Sequence, residues 1–332
     1  MEDKRNEQRK KWWNAHPEKE KVSSMKRRKV GHDYKGRCIY MITIAVEGCR
    51  PLLGCLCDPD DSHRQAWLSP SDLGGIVLKH WQEIPTHYPQ VRNMGIQLMP
   101  DHLHGILFVT EPMPQHLGNV VEAFKRACEK DYRKFYGMSP SRMWEMGYTD
   151  SILHHAGQLD NMFHYLKQNP QQLWVRRNNP DLFTTMHDVN VDGMVVNMMG
   201  NRFLLDYPFK AMVQCSRRLT EQQIASEVEK FLAMAQEGVV LVSACISQGE
   251  KKVMRAAHDA GARQIVLLEN GFSAYWKPGG KQFDACASGR LLLVAPWPHH
   301  NERKTITREQ CLQLNDLARR IANYQLPRGE DL

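Results

Sequence analysis

The order in which strand-like and helix-like stretches alternate between Cys38 and Pro170 constrains this chain more than any other feature. "CIYMITIAV" (Cys38–Val46) is an apolar, β-rich run, and the Gly-, Cys- and Pro-containing stretch from Gly48 to Ser62 reads as loop. "SPSDLGGIVLKHWQEIP" (Ser69–Pro85) opens with Ser and Asp cap candidates and spaces Leu73, Ile76, Val77, Trp81 and Ile84 at helical intervals. Two further strands, Val91–Met99 and His102–Val109, meet at a Pro100-Asp101 turn. His116–Gly137 then reads as a helix ended by glycine, Gly147–Leu153 as a strand, and Ala156–Pro170 as a helix stopped by its proline.

The resulting order, β-α-β-β-α-β plus a helix, predicts an α+β ferredoxin-like domain with an antiparallel sheet over residues 35–175. Residues 1–34 form a basic arm, and 176–200 read as a linker with a docking segment. From residue 201 the pattern changes: "VVLVSACI", "RQIVLLEN" and "RLLLVAPW" are apolar strands separated by helical stretches, which predicts an α/β Rossmann-like domain over 201–332.

The net charge of +7 is concentrated in the arm. Residues 1–30 hold eleven Lys/Arg and five Asp/Glu, a balance of +6, together with Trp12 and Trp13. Lysine and arginine displace phosphate counterions and indoles stack on bases, so the arm suits nucleic acid; a solvated tail explains it equally. No apolar run reaches the roughly 18 residues of a membrane span, and the chain starts without an apolar leader, which predicts a cytoplasmic protein without membrane contact. The nine cysteines form no CxxC pair and are expected as free thiols; Cys55 and Cys57 alone do not complete a zinc site.

Within "LMPDHLHGILFV" (Leu98–Val109), His102 and His104 are two apart and therefore share one face of a strand, while Leu103 turns to the other. Two such imidazoles can hold one divalent ion, but paired histidines on a strand also occur simply hydrogen-bonded, so the pair needs partners. "FHYLKQNP" supplies them, because Tyr165 and Asn169 are four apart on one helical face. Asn169 offers a carbonyl oxygen as a third ligand and Tyr165 a phenolic nucleophile. On the preceding helix, Arg126, Lys130 and Lys134 recur every four residues and, with Lys125 and Arg133, make a basic stripe that suits a phosphate backbone or a solvated face.

Taken together, "MPDHLHGI", "HYLKQNP", "GYTDSILHHAGQLDNM" and "VEAFKRACEK" resemble the motifs of the HUH single-tyrosine transposases, in particular the REP-associated tyrosine transposases and related insertion-sequence enzymes. The resemblance covers about residues 35–175. It implies a metal-dependent endonuclease and strand transferase acting on single-stranded DNA near hairpins or palindromic repeats. His102, His104 and Asn169 would hold Mg²⁺ or Mn²⁺, and Tyr165 would form a 5′-phosphotyrosine link. The resemblance leaves a monomer or a homodimer open. Two other readings stand beside it. A histidine-based nucleotide hydrolase or transferase would need a third histidine where Ile106 stands, and a non-catalytic DNA-binding regulator would be expected to have lost a site residue.

In the second domain, "VVLVSACISQGEKKVMRAAHDAG" runs from a strand through a Ser247-Gln248-Gly249 turn into a helix whose first amides could receive a phosphate. It looks like the strand-turn-helix of the Rossmann-like group related to DNA-processing and lysine-decarboxylase-like proteins. The loops of "ENGFSAYWKPGGKQFDACASGR", with Lys277, Lys281 and Arg290, are a second candidate for a nucleotide or DNA phosphate.

Overall fold

The computed structural model describes residues 29, 31–137, 142–155, 157–273, 276–302 and 305–324. Trp12, Trp13 and almost all of the basic arm lie outside the described residues. The chain divides into two compact units, Met1–Trp174 and Val175–Leu332.

The first unit runs β1 (Cys38–Ala45), β2 (Gly54–Cys57), β3 (Trp67–Pro70), α1 (Asp72–His87), β4 (Val91–Leu98), β5 (His102–Val109), α2 (Leu117–Tyr136), β6 (Thr149–Ile152) and α3 (Gln158–Asn178). Its main sheet has the order β4-β5-β1-β6 with every pair antiparallel. With β2 and β3 set aside, this is the strand order of a ferredoxin-like split β-α-β. β2 and β3 pair only with each other, so part of the stretch expected as loop is a short hairpin.

Period-two alternation divides the sheet into two apolar faces. On one, Ile42, Ile44, Leu103 and Leu107 pack with Trp81 of α1 and Phe124 of α2. On the other, Ile106 packs with Met162 and Leu166 of α3. The first helix begins where Ser71 Oγ accepts the Gly74 amide at 3.0 Å. Gly105 lies against Trp81: a Cβ there would fall 2.1 Å from the indole Cζ2, so only glycine lets β5 and α1 approach this closely.

Pro170 does not end the last helix, as the sequence suggested; α3 continues to Asn178 with the proline buried inside it. Proline fits helical φ and forfeits one backbone hydrogen bond, a loss that packing can offset.

The second unit comprises α4 (Pro180–Phe183), β7 (Met186–Val191), β8 (Met194–Gly200), β9 (Lys210–Met212), α5 (Glu221–Gln236), β10 (Val240–Ser243), α6 (Gln248–Asp259), β11 (Gln264–Leu267), α7 (Lys281–Ala287), β12 (Leu291–Ala295) and α8 (Arg308–Asn323). Its six strands lie in the order β7-β8-β12-β11-β10-β9, and β9 to β12 are mutually parallel. Leu241 and the α5 and α6 residues Phe231, Val253 and Ala257 share one core. Val240, Val242 and Val294 share another with Leu314, Leu317 and Ile321 of α8, so helices cover both faces of the sheet.

Residues 176–200 are not a linker. β7 and β8 form a hairpin, and β8 pairs antiparallel with β12, extending the sheet. Asp192 and Gly193 at its tip both have positive φ, 48° and 79°, as a tight two-residue hairpin turn requires. Among the described residues no helix is long and apolar enough to cross a membrane.

Candidate active site

β5 places His102 and His104 on the face of the first sheet that α3 covers. Register sets His104 opposite Thr43 of β1 and Gln97 of β4, and His102 opposite Ala45. Each imidazole is held through its Nδ1: His102 Nδ1 lies 2.6 Å from Asp101 Oδ1, and His104 Nδ1 lies 2.8 Å from Thr43 Oγ1. The two Nε2 atoms therefore turn toward each other and stand 3.2 Å apart. His104 is 6% exposed, and burial, with His102 beside it, pushes its pKa down to about 3. Its ring is neutral across the physiological range, the form in which imidazole coordinates metals.

α3 brings Tyr165 to the same place. Its ring meets that of His104 edge-on, with centroids 5.2 Å apart, and it stays 39% exposed, open to a substrate. One turn on, Asn169 is 5% exposed; its Nδ2 donates to Tyr165 O at 2.9 Å, which leaves the amide oxygen as its acceptor group. No cluster of three His, Cys, Asp or Glu side chains exists among the described residues, so a further protein ligand beside the two imidazoles would be of another kind, such as a neutral amide oxygen. Two converging imidazole nitrogens fit a divalent ion. Imidazole favours Mn²⁺ and later metals over Mg²⁺, which prefers oxygen. Ile106, where a third histidine would stand, is fully buried in the core beneath α3.

The basic stripe lies elsewhere. α2 packs on the sheet face opposite the histidines, so its residues do not join them. Arg126 and Lys130 are exposed; Arg133 pairs with Glu129 at 3.5 Å and Lys134 with Asp131 at 2.6 Å. Lys125 is not a DNA contact. It is buried, and its Nζ donates to the carbonyls of Glu145 and Gly147, each at 2.9 Å, fastening the segment before β6.

In the second unit the Ser247-Gln248-Gly249 turn carries a capping box. Ser247 Oγ caps α6 by accepting the Glu250 amide at 3.1 Å. The buried Glu250 carboxylate accepts the amides of Ile246 at 2.7 Å, Ser247 at 3.3 Å and Cys215 at 3.3 Å. The carboxylate thus satisfies amides just ahead of the helix, and Ser247 Oγ one amide of its first turn. Gly249 serves packing, because a Cβ there would come 2.8 Å from that of Cys215. Of the later loop candidates, Lys281 pairs with Asp259 at 2.5 Å, and Arg290 Nε donates to Ser288 Oγ at 2.9 Å. A cavity of about 510 Å³ opens among Cys245, Lys251, Glu269, Trp276 and His299.

Asp101 and Thr43 are not singled out by the sequence motifs. The signal for Thr43 is strand parity: with Met41 and Ala45 it lies on the same sheet face as the histidines, across from His104.

No protein-family model matches the chain. An uncharacterised protein of Haemophilus influenzae is 24% identical over 159 residues, 42% of this chain and 83% of that protein. Among solved structures, a REP-associated tyrosine transposase bound to a REP hairpin is similar at 12% identity and a TM-score of 0.30, over 43% of this chain and 72% of that one. A proposed transposase of Deinococcus radiodurans is similar at 16% identity and a TM-score of 0.27, over 42% and 97%. The DNA processing protein DprA of Streptococcus pneumoniae is similar at 16% identity and a TM-score of 0.32, over 59% and 69%.

Proposed function

We propose that residues 35–175 form a metal-dependent nuclease and strand transferase for single-stranded DNA carrying hairpins or palindromic repeats. The observation that carries the reading is the meeting of His102 Nε2 and His104 Nε2 at 3.2 Å, with Tyr165 edge-on to His104 from a separate helix. A nucleophile beside two converging imidazole donors is an arrangement suited to phosphodiester transfer.

In this reading Tyr165 Oη attacks the phosphorus, the bond to O3′ breaks, and the phenolic proton is lost as the 3′-hydroxyl gains one. The DNA 5′-phosphate is then esterified to tyrosine. Attack by another 3′-hydroxyl reverses the step and joins strands, with no ATP, because one phosphodiester replaces another. His102, His104 and Asn169 would hold Mg²⁺ or Mn²⁺, which supplies Lewis-acid polarisation of the phosphodiester when bound. Asn169 also fixes the helical turn that carries Tyr165, through its bond to Tyr165 O. The second unit is read as a Rossmann-like domain on its four parallel strands covered by helices on both faces.

The test is incubation of the chain with 3′-labelled hairpin DNA and Mg²⁺ or Mn²⁺, followed by denaturing electrophoresis. Wild type gives a covalent adduct and Tyr165→Phe gives none. An adduct that survives Tyr165→Phe, or none from wild type with either metal, rejects the mechanism.

A further inference from the structure

A second cleft, of about 600 Å³, lies away from the histidines, between α2 and the segment 142–148. Its α2 wall is a single stripe of the helix, in which Glu122, Arg126, Glu129 and Arg133 follow one another at intervals of four, three and four residues. Its other wall is pinned along its length. The Arg142 amide donates to Glu47 Oε2 at 2.8 Å, the Met143 amide to Glu129 Oε2 at 2.9 Å, and the buried Lys125 holds the carbonyls of Glu145 and Gly147. The cleft is therefore preorganised.

The carboxylates along it are already engaged by the protein, whereas two of its cations are not. Glu129 pairs with Arg133 at 3.5 Å, Glu145 Oε1 accepts the Gly48 amide at 3.0 Å, and Glu122 Oε1 lies 3.5 Å from Lys125 Nζ. The guanidiniums of Arg126 and Arg142 are exposed and have no ion-pair or hydrogen-bond partner among the described residues. Beside them, Met146 is 72% exposed, and the buried Trp144 carries an indole N–H without an acceptor among the described residues. Unpaired guanidiniums suit phosphates, an aromatic and thioether wall suits a flat ring, and an orphaned N–H suits an acceptor on the edge of that ring. A nucleotide carries all three, and the volume falls in the range of small-molecule sites. A base inside a duplex is stacked between its neighbours and cannot enter, so the nucleotide that fits is unpaired.

We propose that this cleft binds an unpaired nucleotide of single-stranded DNA, its base against Trp144 and Met146 and its flanking phosphates on Arg126 and Arg142. α2 covers the sheet face opposite the histidines, so the strand is gripped here at a point other than the phosphodiester presented to Tyr165. The choice of DNA rests on the function proposed above, but the cleft uses none of the residues that cut.

The test is fluorescence anisotropy of labelled oligothymidylate with the full chain and no divalent ion, beside an abasic strand of the same length. The abasic strand is expected to bind at least about tenfold more weakly, because stacking on the protein is lost. Arg126→Gln/Arg142→Gln is expected to weaken oligothymidylate binding at least about tenfold and to make the slope of log K against log salt shallower by about 1.4, as the loss of two single-strand phosphate contacts requires. Met146→Glu, at an exposed position, is expected to weaken binding too, and Tyr165→Phe to leave it unchanged. Iododeoxyuridine in the strand is expected to photo-crosslink within residues 144–148. Wild-type affinity and salt slope in the double arginine variant, or equal binding of the abasic strand, overturns the proposal. Competition by dTMP or by oligouridylate RNA at lower concentration than by oligothymidylate assigns the cleft to a free nucleotide or to RNA and overturns it as well. A chain that binds as expected but forms no Tyr165 adduct ends the cleavage reading and leaves this inference standing.

Discussion

Replacing Gly105 by alanine is the sharpest single test of how the site strand is held, because the added methyl has nowhere to go. A Cβ at this position would lie 2.1, 2.4 and 2.8 Å from Trp81 Cζ2, Cη2 and Cε2, all inside van der Waals contact. Trp81 is 1% exposed, and its ring is braced edge-on by Phe124 at 5.3 Å, so the indole cannot swing aside without disturbing α2. Overpacking of this kind costs about 3 kcal/mol, toward the upper end of the usual range, because three ring atoms rather than one must retreat. With a urea m value of about 2 kcal/mol/M, the unfolding midpoint of this unit falls by about 1.5 M. Hydrogen exchange of the β5 peptide at increasing urea reports the transition of this unit specifically. The double variant Gly105→Ala/Trp81→Phe, which removes the benzo ring that the methyl strikes, is expected to be more stable than the sum of the single changes allows. A Gly105→Ala variant within about 0.5 kcal/mol of wild type, or strictly additive changes in the double variant, would refute the packing argument.

Other perturbations probe the remaining assignments. Lys125→Met keeps the apolar stem but removes the donor to two carbonyls, Glu145 O and Gly147 O, and is expected to cost about 1–2 kcal/mol in urea unfolding with loss of exchange protection over 142–148; an unchanged midpoint would return Lys125 to the surface stripe. Glu250→Ala strips the acceptor from three amides and is expected to cost about 3 kcal/mol, Glu250→Gln less, while millimolar phosphate leaves the wild-type melting temperature unmoved. A phosphate-dependent rise would show that the turn at Ser247 still takes an anion. Calorimetric titration is expected to give Mn²⁺ an affinity at least about tenfold above Mg²⁺, as two imidazole donors require, and equal affinities would speak against both histidines being ligands.

Features that obey a period are the ones legible in the sequence. β5 alternates cleanly, so residue order alone separates Leu103 from His102 and His104, and the i, i+4 relation of Tyr165 and Asn169 is legible for the same reason. Spacing alone does not show which side of a helix turns inward. Lys125 sits one residue from Arg126 and thus about 100° around α2, enough to carry it from solvent into the protein. The strands of the 54–70 hairpin are four residues each and separated by a stretch rich in aspartate, too short for a periodic signal. The 186–200 hairpin is hidden by its polar face, although Asp192-Gly193 is the turn signal that could reveal it. Pro170 misleads because a helix breaker weighs little against the packing that surrounds it, and the Glu250 contacts ahead of α6 are legible as a Ser247-to-Glu250 capping box.

The pleat of β5 also sets which lengths of this chain are free to drift over generations. Gly105 and Leu103 must face the helices α1 and α2, while His102, His104 and Ile106 must face α3, so inserting or deleting a single residue between Pro100 and Ile106 would trade lining for filling along the whole strand. Only paired changes, or changes outside the strand, preserve both. Segments such as 58–66, which bridge two short strands at the surface, carry no such parity and can gain or lose residues one at a time. Among distant relatives, alignment gaps should therefore gather between β2 and β3 and be absent between Met99 and Ile106, a pattern readable by counting residues without any measurement of activity.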